Sequence, residues 1–271
     1  MSVVRRTGSG LRTIAAPFVV APATGTSTTD RLRTTPAESE ALREIGMFLG
    51  RLRREDYAVR SHEGRLDAKG KAVSRRERKR GLTAATSSRW ASAITRVNED
   101  QYKLATMALY DERQMLRSSI QTIETRLKLE PGSKGGYKTK AEWFQKTRRL
   151  NTLRSRLVAV DARVVAEKPR VVHGGGRLWR NRQNLKTAKL TQAGWRQEWD
   201  AKRSFLTADG ATGEMYGNQT IRVDNDGYVT VKVPGGLVEK YGSHIRFETP
   251  LNLETNRADE WRDQRWLPVE D

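Results

Sequence analysis

Arg177, Trp179, Arg180, Arg182 and Gln183 bring one indole and three guanidinium groups into a run of seven residues. Flat π-faces stack on unpaired bases and guanidinium forks pair with phosphate, so this mixture suits a polyanion with exposed bases. It lies inside a window, 148–203, with fifteen basic residues against four acidic ones; Arg148, Arg149, Arg196, Lys202 and Arg203 belong to it. A second basic run, 51–80, has twelve against five and ends in Arg75, Arg76, Arg78, Lys79 and Arg80. Trp195 and Trp199 are four apart and share a helix face, so core packing explains them at least as well as base stacking.

Other chemistries find little support. Two-metal nucleases need carboxylates converging from separate strands, whereas here the acids are scattered or gathered in the tail as Glu254, Asp259, Glu260, Asp263, Glu270 and Asp271. No cysteine is present, and His62, His173 and His244 are too far apart in sequence for a ligand motif. Gly64 to Lys71 is one residue too long for a phosphate loop, and Ala72 stands where the magnesium-binding hydroxyl belongs. His173-Gly174-Gly175-Gly176 resembles an oxyanion loop but has no serine elbow to serve, so it reads as a turn. No catalytic residue, metal site or cofactor is expected on this chain.

The whole chain repeats the local message. Its 51 Lys plus Arg against 32 Asp plus Glu give a formal charge of +19 over 271 residues. Such a surplus repels itself unless a polyanion neutralises it, and phosphates gain affinity by releasing counterions. Nucleic acid is therefore the expected partner. No apolar run is long enough to span a bilayer, and Pro17 and Pro22 interrupt the apolar stretch Ile14–Ala23 behind Arg5-Arg6. No membrane association and a cytoplasmic location are expected.

The elements that must carry these residues divide into an α+β chain. Residues 1–10 read as a flexible basic arm, and 11–30 as a strand, Leu11–Val20, followed by a linker. A capping box, Thr35 with Glu38 behind Pro36, opens a helix with Leu42, Ile45, Leu49 and Leu52 on one face and Arg43, Arg51, Arg53 and Arg54 in water. The run 51–80 has too little apolar surface to order itself and reads as a loop or a binding arm. From a cap at Ser88, the stripe Trp90, Ile94, Val97, Leu104, Ala108, Met115, Ile120, Ile123, Leu127 predicts a long helix with one slip of phase near Asp111. Pro131-Gly132 and Gly135-Gly136 break it. A second capping box, Thr139 with Glu142, opens a partner helix to about Lys168, carrying Trp143, Leu150, Leu153, Leu157, Val160 and Val164, and the two form an antiparallel hairpin. After Pro169 come an Arg-rich loop, a helix from Thr191, and a hairpin of Ile221, Val223 and Val229, Val231, Val233 about Asn225-Asp226-Gly227, with a further strand in 243–249.

With these residues in view, Gly174–Leu185, Trp195–Leu206, Gly217–Val223 and the hairpin ending Val231–Pro234 resemble the middle of TnpB-related proteins, insertion-sequence accessory proteins similar to type V CRISPR effectors. Arg31–Glu38 resembles the start of the same group. The likeness covers most of the chain, and the Gly217 block, with Asn218, Gln219 and Arg222, is its most specific part. The resemblance implies a long helical recognition part, 31–204, inserted in a small antiparallel wedge-type β-barrel made from the 11–30 segment and 205–271, with an acidic tail. It also implies that these parts hold a guide-type RNA and contact double-stranded target DNA, leaving sequence reading to base pairing. The family continues into a RuvC nuclease domain with three acids and a zinc module, and this sequence shows neither. The expectation is a TnpB-like binding protein without its own nuclease centre. The alternatives are half of a split nuclease, with a RuvC-like domain on another chain, and a helical scaffold.

Overall fold

Thr35 turns the chain into its first helix, α1 (Pro36–His62). Its hydroxyl accepts from the Glu38 amide, and the Glu38 carboxylate accepts from the Thr35 amide at 2.7 Å, so the capping box read from sequence is formed. The computed structural model describes residues 31–210, 218–224 and 226–251. The arm 1–10, the strand at Leu11–Val20, Gly217, Asn225 and the acidic residues from Glu254 onward lie outside the described residues. Residues 33–250 pack as one unit.

The basic run 51–80 is not a loop. It completes α1, turns at Gly64 and continues as α2 (Ala68–Ala85), capped by the Asp67 carboxylate on the Gly70 amide at 2.7 Å. Buried ion pairs supply the order that apolar content could not. Arg78 reaches Asp56 at 2.7 Å and also pairs with Glu99, while Arg60 donates to Glu99 and to the Gly64 carbonyl, each at 2.8 Å. The Asn98 amide donates to Asp56 at 2.7 Å, and the Ser74 hydroxyl to Glu63 at 2.7 Å. Burial pushes Asp56 above the usual carboxylate range, against the pull of Asn98 and Arg78.

Helix α3 (Ser88–Leu127) is capped by Ser87, one residue before the expected Ser88. Its buried face runs Ile94, Asn98, Tyr102, Leu109, Leu116, Ile120, Ile123 without a slip of phase. Leu104 and Met115, assigned to the stripe from sequence, are 60% and 71% exposed. The polar members Asn98 and Tyr102 carry the face through the region where hydrophobicity fades, and hydrogen bonding makes their burial tolerable: the Tyr102 hydroxyl donates to the Glu167 carbonyl at 2.8 Å.

Helix α4 (Lys140–Val165) folds back along α3 as expected. Thr139 caps it, but the Glu142 carboxylate accepts from Lys138 rather than Thr139, so only half of the second capping box forms. Val160 and Leu150 fill the seam with Leu109, Leu116, Ile120 and Ile123, and Leu153, Leu157 and Val164 flank it. Each such buried side chain contributes roughly 1.5–3 kcal/mol. Arg154 to Glu124, Arg156 to Glu112 and Arg113 to Asp161 tie the edges at 2.7, 2.5 and 2.6 Å.

Two more helices follow, α5 (Gly176–Asn181) and α6 (Gln192–Arg203), the second capped by Thr191. The sheet is β1 (Ile221–Val223), β2 (Val229–Lys232) and β3 (His244–Arg246), antiparallel in that order, with a short helix α7 (Val238–Tyr241) between the last two. Ile221 pairs with Val231 and Val223 with Val229, the register that the alternation predicts. Among the described residues the sheet is open and three-stranded. Val229, Val231, Val233 and Phe247 are buried, and the Trp90 indole donates to the Lys232 carbonyl at 3.0 Å, joining sheet to helices.

Candidate nucleic-acid interface

The chain enters the candidate site through Gly174, at φ 105°. A Cβ there would stand 2.7 Å from the Trp199 ring, so both conformation and contact demand glycine. The loop read as a flexible turn is thus fitted against an indole. Beyond it, Leu178 of α5 points inward to meet Trp195 and Trp199 of α6, with Leu185 and Leu190 around them. The buried Trp195 indole donates to the Leu178 carbonyl at 2.9 Å.

Three indoles form a ladder. Trp195 and Trp199 stack with centroids 5.5 Å apart and planes at 12°; Trp199 and Trp179 stand 5.5 Å apart at 29°. The ladder runs from the core to the surface, because Trp195 and Trp199 are buried and Trp179 is 40% exposed. The Arg182 guanidinium caps it, 3.3 Å from the Trp179 centroid. Beside it a cleft of 580 Å³ is lined by Gly174, Arg177, Leu178, Asn181, Glu198 and Lys202 among others. Lys202 is held on Glu198 at 2.6 Å, which leaves the exposed Arg177 to give the cleft its positive charge.

Of the residues singled out from sequence, Arg177, Trp179, Arg180, Arg182 and Gln183 are brought together and exposed on and after α5, and Arg196 is exposed on α6. Arg203 is half-buried, over Trp199 and against α1. Arg148 and Arg149 are exposed on α4, and Arg75, Arg76 and Arg80 on α2, with Lys79 half-buried. Arg78 is the correction: it is 8% exposed and its guanidinium is committed to Asp56 and Glu99. Asn218 also serves the fold, its side-chain oxygen accepting from Thr220 at 2.9 Å and Ile221 at 3.1 Å to start β1. Gln219 and Arg222 are exposed at the same strand.

Sequence reading missed Arg53, Arg54 and His173. The two arginines were expected in water, yet both are half-buried where α1 meets α6, and Arg54 donates to the Arg203 carbonyl at 3.0 Å. Gly50 and Gly46 were the available signal: a Cβ on Gly50 would collide with that carbonyl, and the Gly46 carbonyl accepts from Phe205. Small residues on a helix mark close approach by another segment. His173 packs edge-on to Tyr57 at 5.1 Å.

A further cleft of 570 Å³ opens between α2, α3 and α4, with Leu66, Tyr102, Met107 and Tyr110 on its walls. Its carboxylates Glu99, Asp100 and Glu167 are engaged by Arg60, by Arg96 and by the Arg65 amide. Among the described residues no group of His, Asp and Glu converges as metal ligands, and no helix is long and apolar enough to cross a membrane. No family model, curated protein or solved structure matches the chain significantly.

Proposed function

We propose that this is a transposon-associated, TnpB-like nucleic-acid-binding protein that holds a guide-type RNA and its double-stranded DNA target in the cytoplasm. The wedge-type barrel that the resemblance implies belongs to the same proposal. One observation carries it: the indole ladder ends at an exposed Trp179 capped by Arg182, beside a cleft with Arg177 on its rim. The outer plane of that stack is the Arg182 guanidinium over Trp179, a flat cation that offers stacking to unpaired bases, while Arg177 and Arg180 beside it offer charge to the phosphates between them. The Trp195–Trp199 core holds that outer plane in place, so little order is lost on binding.

Gel shifts of the full chain against structured RNA transcribed from the flanking DNA test it. Binding is expected at micromolar concentration or tighter, falling steeply with salt. Converting Arg177, Arg180 and Arg182 together to Gln should weaken it and reduce the slope of log affinity against log salt by about 2, at roughly 0.7 per single-strand phosphate contact. Weak, salt-insensitive binding, or a triple variant with an unchanged slope, would overturn the proposal.

A further inference from the structure

Four buried polar atoms without a hydrogen-bond partner lie where α1, the end of α6 and the loop before α5 come together. They are Nε of Arg53, Nε of Arg203, Nε2 of His173 and the Tyr57 hydroxyl. Tyr57 and His173 are in edge contact, Arg203 lies beside Gly174, and Arg54 reaches the Arg203 carbonyl. Arg54 and Arg203, with Met47 and Asp200, line a cleft of 110 Å³, room for one tetrahedral oxyanion or a few waters.

Three guanidinium groups are thus gathered without a matching acid. Among the described residues none of Arg53, Arg54 and Arg203 forms an ion pair; Asp200 shares the cleft wall and Glu55 attracts Arg54 from farther off. Their mutual effect is repulsive. Burial lowers the proton affinity of Arg53 and Arg54, and Arg203 lowers that of Arg54 further. Contrast the seam between α1, α2 and α3, where each buried arginine meets a carboxylate. Buried donors left open within a like-charge cluster call for an absent acceptor, and guanidinium forks match phosphate best.

We propose that this seam is a phosphate seat, in which Arg54 and Arg203 on the cleft wall hold one phosphate group and the neighbouring charge of Arg53 attracts it. The group is supplied by the backbone of bound RNA or by free inorganic phosphate. Only the RNA source rests on the nucleic-acid function proposed above.

Two measurements on the full chain separate these cases. The first compares thermal unfolding in inorganic phosphate and in chloride at equal pH and ionic strength. Wild type should melt higher in phosphate, and Arg53→Gln should lose most of that rise while melting no lower than wild type in chloride, because repulsion has been relieved. Arg203→Gln repeats the comparison from the other side of the cleft, and broadening of the phosphate phosphorus resonance by wild type reads the site without a variant. The second is RNA affinity, which should fall about tenfold or more in Arg53→Gln if the backbone supplies the group. A phosphate-specific rise with unchanged RNA affinity assigns the seat to free phosphate. A rise that survives in both variants, or no rise together with unchanged RNA affinity, overturns the seat even where RNA binds tightly. So does a lower melting point of Arg53→Gln in chloride, the mark of a structural arginine. Absent RNA binding with the phosphate rise intact overturns the RNA function and leaves the seat standing.

Discussion

Arg75, Arg76 and Arg78 are neighbours of one type, and the fold gives them different work. Arg75 and Arg76 face solvent, while Arg78 sits between Asp56 and Glu99 with its side chain 5% exposed. Arg78→Met should cost about 3–5 kcal/mol by leaving Asp56 buried without its counter-charge, with only the Asn98 amide still donating to it, whereas Arg75→Gln should stay within about 0.5 kcal/mol. Urea midpoints decide it. His173 carries a pH signature of its own. Burial, then Arg53, Arg54 and Arg203, hold its imidazole down to about 4 from an ordinary 6.5. Above pH 6.5 it is neutral folded or unfolded, and its contribution is complete; as pH falls from 6.5 toward 4, only the unfolded chain takes up the proton and stability is lost. His173→Gln should flatten that decline in denaturant titrations.

The long α3–α4 hairpin tests which face of a helix is inside. Leu116 is 5% exposed and Met115 is 71% exposed, so Leu116→Ala should cost about 2–5 kcal/mol and Met115→Ala about 0.5 kcal/mol or less. Equal effects of the two would mean that the face has been misplaced. The starts of α1 and α6 are readable from sequence because their caps are local: Thr35 and Thr191 bond to amides three residues on. The phase of α3 is not, because Asn98 and Tyr102 occupy inward positions that a hydrophobic pattern leaves blank. The order of α2 was hidden for a related reason. Composition counts its charges, but only the fold shows that Arg78 finds Asp56, twenty-two residues away.

Among the described residues, ion pairing decides which of the basic side chains stay available to a partner. On α4, Arg154 and Arg156 are turned to Glu124 and Glu112, while Arg148 and Arg149 are exposed. If the protein binds RNA along α4, Arg148→Gln with Arg149→Gln should lower the salt slope by about 1.4 without moving the melting temperature. Arg156→Gln should leave the slope nearly unchanged and lower the melting temperature only slightly, because Glu112 loses one arginine and keeps the other, Arg163. Of the candidate site, the cluster from Arg177 to Gln183 was legible because it is contiguous. The seam of Arg53, Arg54, His173 and Arg203 was not, since its members meet only after α6 crosses α1, and nothing in their spacing announces that crossing.

Glu38 has a second task beyond starting α1. Its other carboxylate oxygen accepts from the Glu248 amide at 2.8 Å, and these two backbone bonds hold its pKa below the usual carboxylate range. The points at which the polypeptide enters and leaves the packed body are therefore fastened to one side chain. A body closed in this way can be spliced into a surface loop of a host protein, or have its old ends joined and new ones cut elsewhere, with little strain on what lies between.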